Sequence, residues 1–192
     1  SFDTLLGVYR APTATPTMAQ LEPVAANNNA DDTRTTSRVT ITAQTGYTYF
    51  IAVDGVGAAT GTVRIKMGTP PPNDDFANRI PLSGAFPLTA SGVNTDATRE
   101  PGEPNHAGVS FGRSLWWSFT APQTRRYEVK THGSYATTTL GVFTGSAVNA
   151  LTLVAQDHRA GGPSASLATF DAVAGTTYQI AIDDDGFKEG NV

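Results

Sequence analysis

A chain of 192 residues with 13 Lys and Arg against 17 Asp and Glu carries a net charge of −4, so it lacks the basic face by which proteins hold nucleic acid. No apolar run approaches the roughly 20 residues of a membrane-spanning helix, and the absence of cysteine leaves the compartment open. Charged residues make up only 16%, and 19 Gly and 12 Pro join abundant Thr, Ser, Ala and Asn, a mixture suited to short strands linked by tight turns.

In chain order, the first residues already fall inside a strand-like pattern, "SFDTLLGVY" (1–9), which reads as a fragment of something longer. "RAPTATPTMAQ" (10–20) reads as a lengthened loop, and "NNNADD" (27–32) as an oxygen-rich, solvated turn. "YTYFIAV" (47–53) places Tyr47, Tyr49, Ile51 and Val53 on one face of a strand. "TVRIKM" (62–67) sets Val63, Ile65 and Met67 against Arg64 and Lys66, which predicts a strand with one wet face. The prolines Pro70, Pro71 and Pro72 form a stiff spacer, and "NDDFANRI" (73–80) predicts a turn of helix capped by Asn73 or Asp74. "SLWWSFTAP" (114–122) alternates Leu115, Trp117 and Phe119 inward, and "RYEVKTHG" (126–133), "LTLVAQD" (151–157) and "TYQIAID" (177–183) add further strands. Strands of this length with regular turn signals predict an all-β, jelly-roll-like antiparallel β-sandwich.

The chain also repeats itself. "AQTGYTYFIAVDG" (43–55) matches "AVAGTTYQIAIDD" (172–184), and Gly46 and Gly175 set an offset of 129 residues. "LEPVAANNNADD" (21–32) matches "LTLVAQDHRAGG" (151–162), "TLLGVY" (4–9) matches "TTLGVF" (138–143), and "GTV" (61–63) meets "GNV" (190–192). The pattern divides the chain into the C-terminal half of one sandwich repeat at 1–69, a Pro linker at 70–72, and a nearly complete second repeat at 73–192. On that offset about 56 residues of the first repeat's opening half lie outside the sequence.

In their order, "NDDFANRIPLSG" (73–84), "ATREPGEPNHAG" (97–108), "GRSLWWSFTAP" (112–122), "SFDTLLGVY" (1–9) and "GYTYFIAVDG" (46–55) resemble the bacterial pre-peptidase C-terminal domain family and its tandem relatives in large secreted proteins. The resemblance implies a jelly-roll-like sandwich, a secreted or cell-surface location and a non-catalytic role. It also implies calcium in some relatives, and collagen or other polymers as ligands in others. The two repeats differ where the first reads "VDGVG" (53–57) and the second "IDDDG" (182–186), so a site built there differs between them.

Two readings of "REPGEPNHAG" (99–108) stand side by side. Calcium takes roughly six to eight oxygen ligands, so Glu100, Glu103 and a loop acid such as Asp183 are candidate metal ligands, while His106 suits zinc. The structural reading has Pro101 and Pro104 holding a long connection against the sandwich, with Glu100 or Glu103 bonded to backbone N–H groups or to Arg113. "DDDGF" (183–187) reads as a solvated turn, since its spacing is not that of a helix–loop–helix calcium loop. Trp117 fills the core, and Trp116, pointing the other way, is a candidate stacking platform for a ligand unless a loop covers it.

The scattered His106, His132 and His158 form no metalloprotease motif, and no nucleophile elbow or phosphate loop is present. With what the resemblance implies, the expectation is a non-catalytic extracellular structural or adhesive repeat module of a large bacterial surface or matrix protein. The half repeat's bare apolar face would be completed by other copies of the chain or by adjoining repeats, through β-strand complementation into a fibre. A calcium-dependent module docking a secreted enzyme onto collagen or polysaccharide is the alternative.

Overall fold

The computed structural model describes residues 2–29, 35–109, 112–134, 137–162 and 165–184, and within them the protein is all-β and sandwich-like. Among the described residues no helix is long and apolar enough to cross a membrane. The chain divides into two compact units, Ser1–Met67 and Gly68–Val192. The division falls just before the expected Pro linker, because Pro71 belongs to the second unit: its carbonyl accepts the Asp74 N–H at 3.1 Å.

The second unit holds β4 (Ile80–Leu82), β5 (Leu115–Thr120), β6 (Arg125–Lys130), β7 (Thr138–Thr144), β8 (Thr152–His158), β9 (Leu167–Ala172) and β10 (Thr177–Asp184). Five of these form a sheet in the order β4-β5-β10-β7-β8, and β6 pairs with β9 in a second sheet. All pairs are antiparallel except β4 with β5, which is parallel. The period-2 alternation decides the faces. Leu115, Trp117, Phe119, Leu140, Val142, Tyr178 and Ile180 turn toward Ala168, Phe170 and Ala172 of β9 and Tyr127 and Val129 of β6. Phe119 meets Tyr127 at 5.0 Å and Phe170 meets Tyr178 at 4.8 Å between ring centroids.

The opposite face is covered by irregular chain. Trp116, Phe143 and Ala181 pack with Phe76 from the 3-10 helix Phe76–Asn78, whose N-cap is Asp75 and not Asn73 or Asp74. Those two are buried and occupied elsewhere: Asn73 Nδ2 donates to the Trp116 carbonyl, and Asp74 accepts from the Thr98 amide and hydroxyl. The sequence puts good capping residues here, but the fold uses them to fasten the covering segment to the sheet.

The first unit contains β1 (Thr4–Ala11), β2 (Glu22–Asn27) and β3 (Thr48–Gly55), antiparallel in the order β2-β1-β3. This order matches β8-β7-β10. Leu6 lies opposite Val53 and Val8 opposite Ile51, as Leu140 lies opposite Ile182 and Val142 opposite Ile180. A register irregularity falls between Val8 and Tyr9 and again between Val142 and Phe143. Local hydrogen bonds recur as well. The Tyr49 hydroxyl accepts the Gln44 N–H at 2.8 Å, and the Tyr178 hydroxyl accepts the Val173 N–H at 3.0 Å. Asn27 accepts the Arg38 N–H as Asp157 accepts the Leu167 N–H. Ser37 donates to the Thr4 carbonyl as Ser166 donates to that of Thr138. Asp54 accepts the Gly55 N–H as Asp183 accepts that of Asp184.

The burial of the two units is unlike. Among the described residues of the first unit, only Val8 and Ala11 are buried apolar residues, and Ile51 is 44% exposed where Ile180 is 2%. The segment 37–44 stands where β9 stands in the second unit, and Val39 and Ile41 turn partly inward while Arg38, Thr40 and Thr42 face out. It forms no strand, because β9 is held by β6 and the first unit offers no such partner among its described residues. The strand predicted at 62–67 is also absent, with Val63, Ile65 and Met67 45%, 61% and 86% exposed. Alternation supplies a face but not a partner edge, and without the second a strand does not form. Between this segment and the sheet, Leu6, Val53, Val63 and Ile65 line a cavity of about 590 Å³.

Candidate functional site

The most concentrated chemistry lies where the loop 97–109 crosses the end of β10. Gly102 and Gly108 take positive φ there, which lets this Pro-rich connection turn back on itself. It brings Glu103 and His106 to Asp183, with all three side chains 1–2% exposed. His106 Nε2 is 3.5 Å from Glu103 Oε1, and His106 Nδ1 is 3.7 Å from Asp183 Oδ2. The ring also packs edge-on to Trp116 at 5.5 Å and to Phe143 at 5.8 Å.

Burial pushes the Glu103 carboxyl above its ordinary value, and the Asp183 charge adds to this, while Ser114, His106 and the Glu100 amide pull the other way. Among the described residues, Glu103 Oε1, both His106 nitrogens, Ser114 Oγ and Trp116 Nε1 are buried without a hydrogen-bond partner. Ser114 is 0% exposed, and the group lies enclosed between the loop and the sheet.

The three candidate calcium ligands make other contacts. Glu100 accepts the Phe76 N–H at 2.5 Å, and its own amide donates to Glu103 Oε2 at 2.9 Å. Glu103 and Asp183 lie against different nitrogens of His106. Among the described residues, no group of three or more His, Asp and Glu side chains is placed to hold a metal ion. The backbone-bonded reading of Glu100 and Glu103 is the arrangement observed. Trp116, expected as a stacking platform, is 0% exposed, because Phe76 and the His106 loop cover its face.

The acidic run at the end of β10 is not a solvated turn over its first two residues. Asp183 accepts the Arg113 N–H at 2.8 Å, and Asp184, 0% exposed, pairs with Arg113 Nε at 2.9 Å and accepts from Asn94 Nδ2 at 2.8 Å. The rest of "DDDGF", with Ala30–Asp32 and the "GNV" match, lies outside the described residues. Arg113 was legible in principle. Continuing the β5–β10 register from Leu115 opposite Ile182 places residue 113 across from 184, where opposite charges favour the pair.

Comparison with known proteins finds no matching family model, no matching curated protein and no matching solved structure.

Proposed function

We propose that the protein is a non-catalytic structural or adhesive element built of tandem β-sandwich modules, in which the first unit is the second half of one module and the second unit the body of the next. The observation that carries this reading is the recurrence of one strand order, one register and one set of local hydrogen bonds in both units, with a buried face in one and an only partly covered face in the other. Other copies of the module, in the same polypeptide or in another, complete the first unit by strand addition. Head-to-tail completion without closure gives a fibre. The resemblance to the pre-peptidase C-terminal domain family supports a jelly-roll-like sandwich and a secreted or cell-surface setting.

Sedimentation at rising concentration, with hydrogen exchange across residues 36–55, tests the proposal. The expected result is reversible association that slows exchange in β3. A chain that stays monomeric at high concentration, with those amides already fully protected, overturns it.

A further inference from the structure

The edges of the first unit differ in how they are defended. Natural edge strands are blunted by prolines, charges or short length. β2 carries Glu22 and Pro23, and in the second unit β4 is three residues long with Pro81, while β8 ends in Asp157 and His158. β3 is an eight-residue edge strand, "TYFIAVDG", whose one charge is Asp54 at its far end and which has no proline. Its counterpart β10 is not an edge at all, since β5 lies along it. On β10, Leu115 is opposite Ile182, Trp117 opposite Ile180 and Phe119 opposite Tyr178.

We propose that the free edge of β3 is the seat of an antiparallel strand of the β5 pattern, large apolar residues at alternate positions, held in the register β10 uses for β5. This rests on the module reading above. A Leu-like residue then faces Val53, a Trp-like residue faces Ile51 and a Phe-like residue faces Tyr49, so the three cover the face that is now open. A β6-type strand following it pairs with 37–44, turning that segment into a β9-type strand and filling the cavity beside Val63 and Ile65. The β5 strand within this chain is engaged with β10 and β4, so the occupant is a further strand of the same chemistry. Register is strict, because a slip of one residue turns the three large side chains to the other face.

The test prefixes the full chain with a second copy of residues 73–133, which carry β4, β5 and β6. The control prefix has the copies of Leu115, Trp117 and Phe119 changed to Asp. Hydrogen exchange at 37–44 and 48–55 is the readout. The expected result is slowing by about tenfold or more with the first prefix and none with the control. No slowing with either prefix, in a chain whose unmodified form exchanges freely there, overturns the strand assignment and leaves the module reading standing. Full protection in the unmodified monomer overturns both. A fluorescent peptide of residues 113–122 added to the full chain decides the matter if the prefixed protein is insoluble: saturable binding abolished by the same three Asp changes supports the assignment, and no binding overturns it.

Discussion

At the scale of single residues, the buried Glu103 is one group through which pH reaches the fold. Its carboxyl is raised above the ordinary 4.5, first by burial, against the opposing pull of Ser114, His106 and the Glu100 amide. A carboxyl raised in the folded state binds its proton more tightly there than in the unfolded chain. Its contribution to stability is therefore complete below the unfolded value and is lost as pH rises through the folded one. Glu103→Gln keeps the shape and removes the titration. Urea unfolding at pH 4 and pH 7 should show the variant gaining on the wild type at the higher pH. A difference that is flat, or that runs the other way, means the combined pull of Ser114, His106 and the Glu100 amide matches or outweighs burial. The Arg113–Asp184 pair acts by another route. Truncating Arg113 leaves a fully buried carboxylate with Asn94 as a remaining partner, and such a loss costs about 3–5 kcal/mol in buried pairs.

At the scale of elements, the same glycine stands in two environments. A Cβ on Gly141 would lie 2.5 Å from Phe143 Cε2 and 2.7 Å from its Cζ, and Phe143 is held at 1% exposure against Trp116 and His106. A Cβ on Gly7 would meet the half-buried Tyr9 ring at 3.0 Å, and that ring has room to swing. Gly141→Ala should cost about 1–3 kcal/mol as an overpacked core, and Gly7→Ala about 0.5 kcal/mol or less as a surface change. Thermal melting of the two variants measures both, and equal losses would mean that the Gly7 face is covered after all. This contrast explains which elements were legible. β3, β5, β6, β8 and β10 were readable from alternation because each has a partner in the chain. The 62–67 segment alternates as well as they do, yet forms no strand, since pairing depends on what lies alongside. β9 mixes Thr169 and Asp171 with small Ala168 and Ala172, so its inward face is marked mainly by Phe170. Of the candidate site, Glu103 and Asp183 were legible as acids in suggestive loops. Their meeting across His106 depends on the path of the 97–109 loop, which local pattern does not encode.

At the scale of the whole molecule, stability should be divided as unevenly as burial. Nearly all buried apolar side chains lie in the second unit, including both tryptophans, while the first unit buries Val8 and Ala11. Hydrophobic burial is the main favourable term in folding, roughly 25 cal/mol per Å² of apolar surface, so a sheet with one only partly covered face contributes little to a cooperative transition. The cooperative thermal transition followed by tryptophan fluorescence should therefore belong to the second unit, since Trp116 and Trp117 both report from its core. A truncated chain of residues 68–192 should melt within a few degrees of the full chain, because ~1 kcal/mol shifts the midpoint of a domain this size by only about 4 °C. Hydrogen exchange in the full chain should show β1 and β3 opening well below that transition. If deleting the first unit instead lowers the midpoint by about ten degrees or more, that unit stabilises the second, and an exposed half-module awaiting its strands no longer describes it.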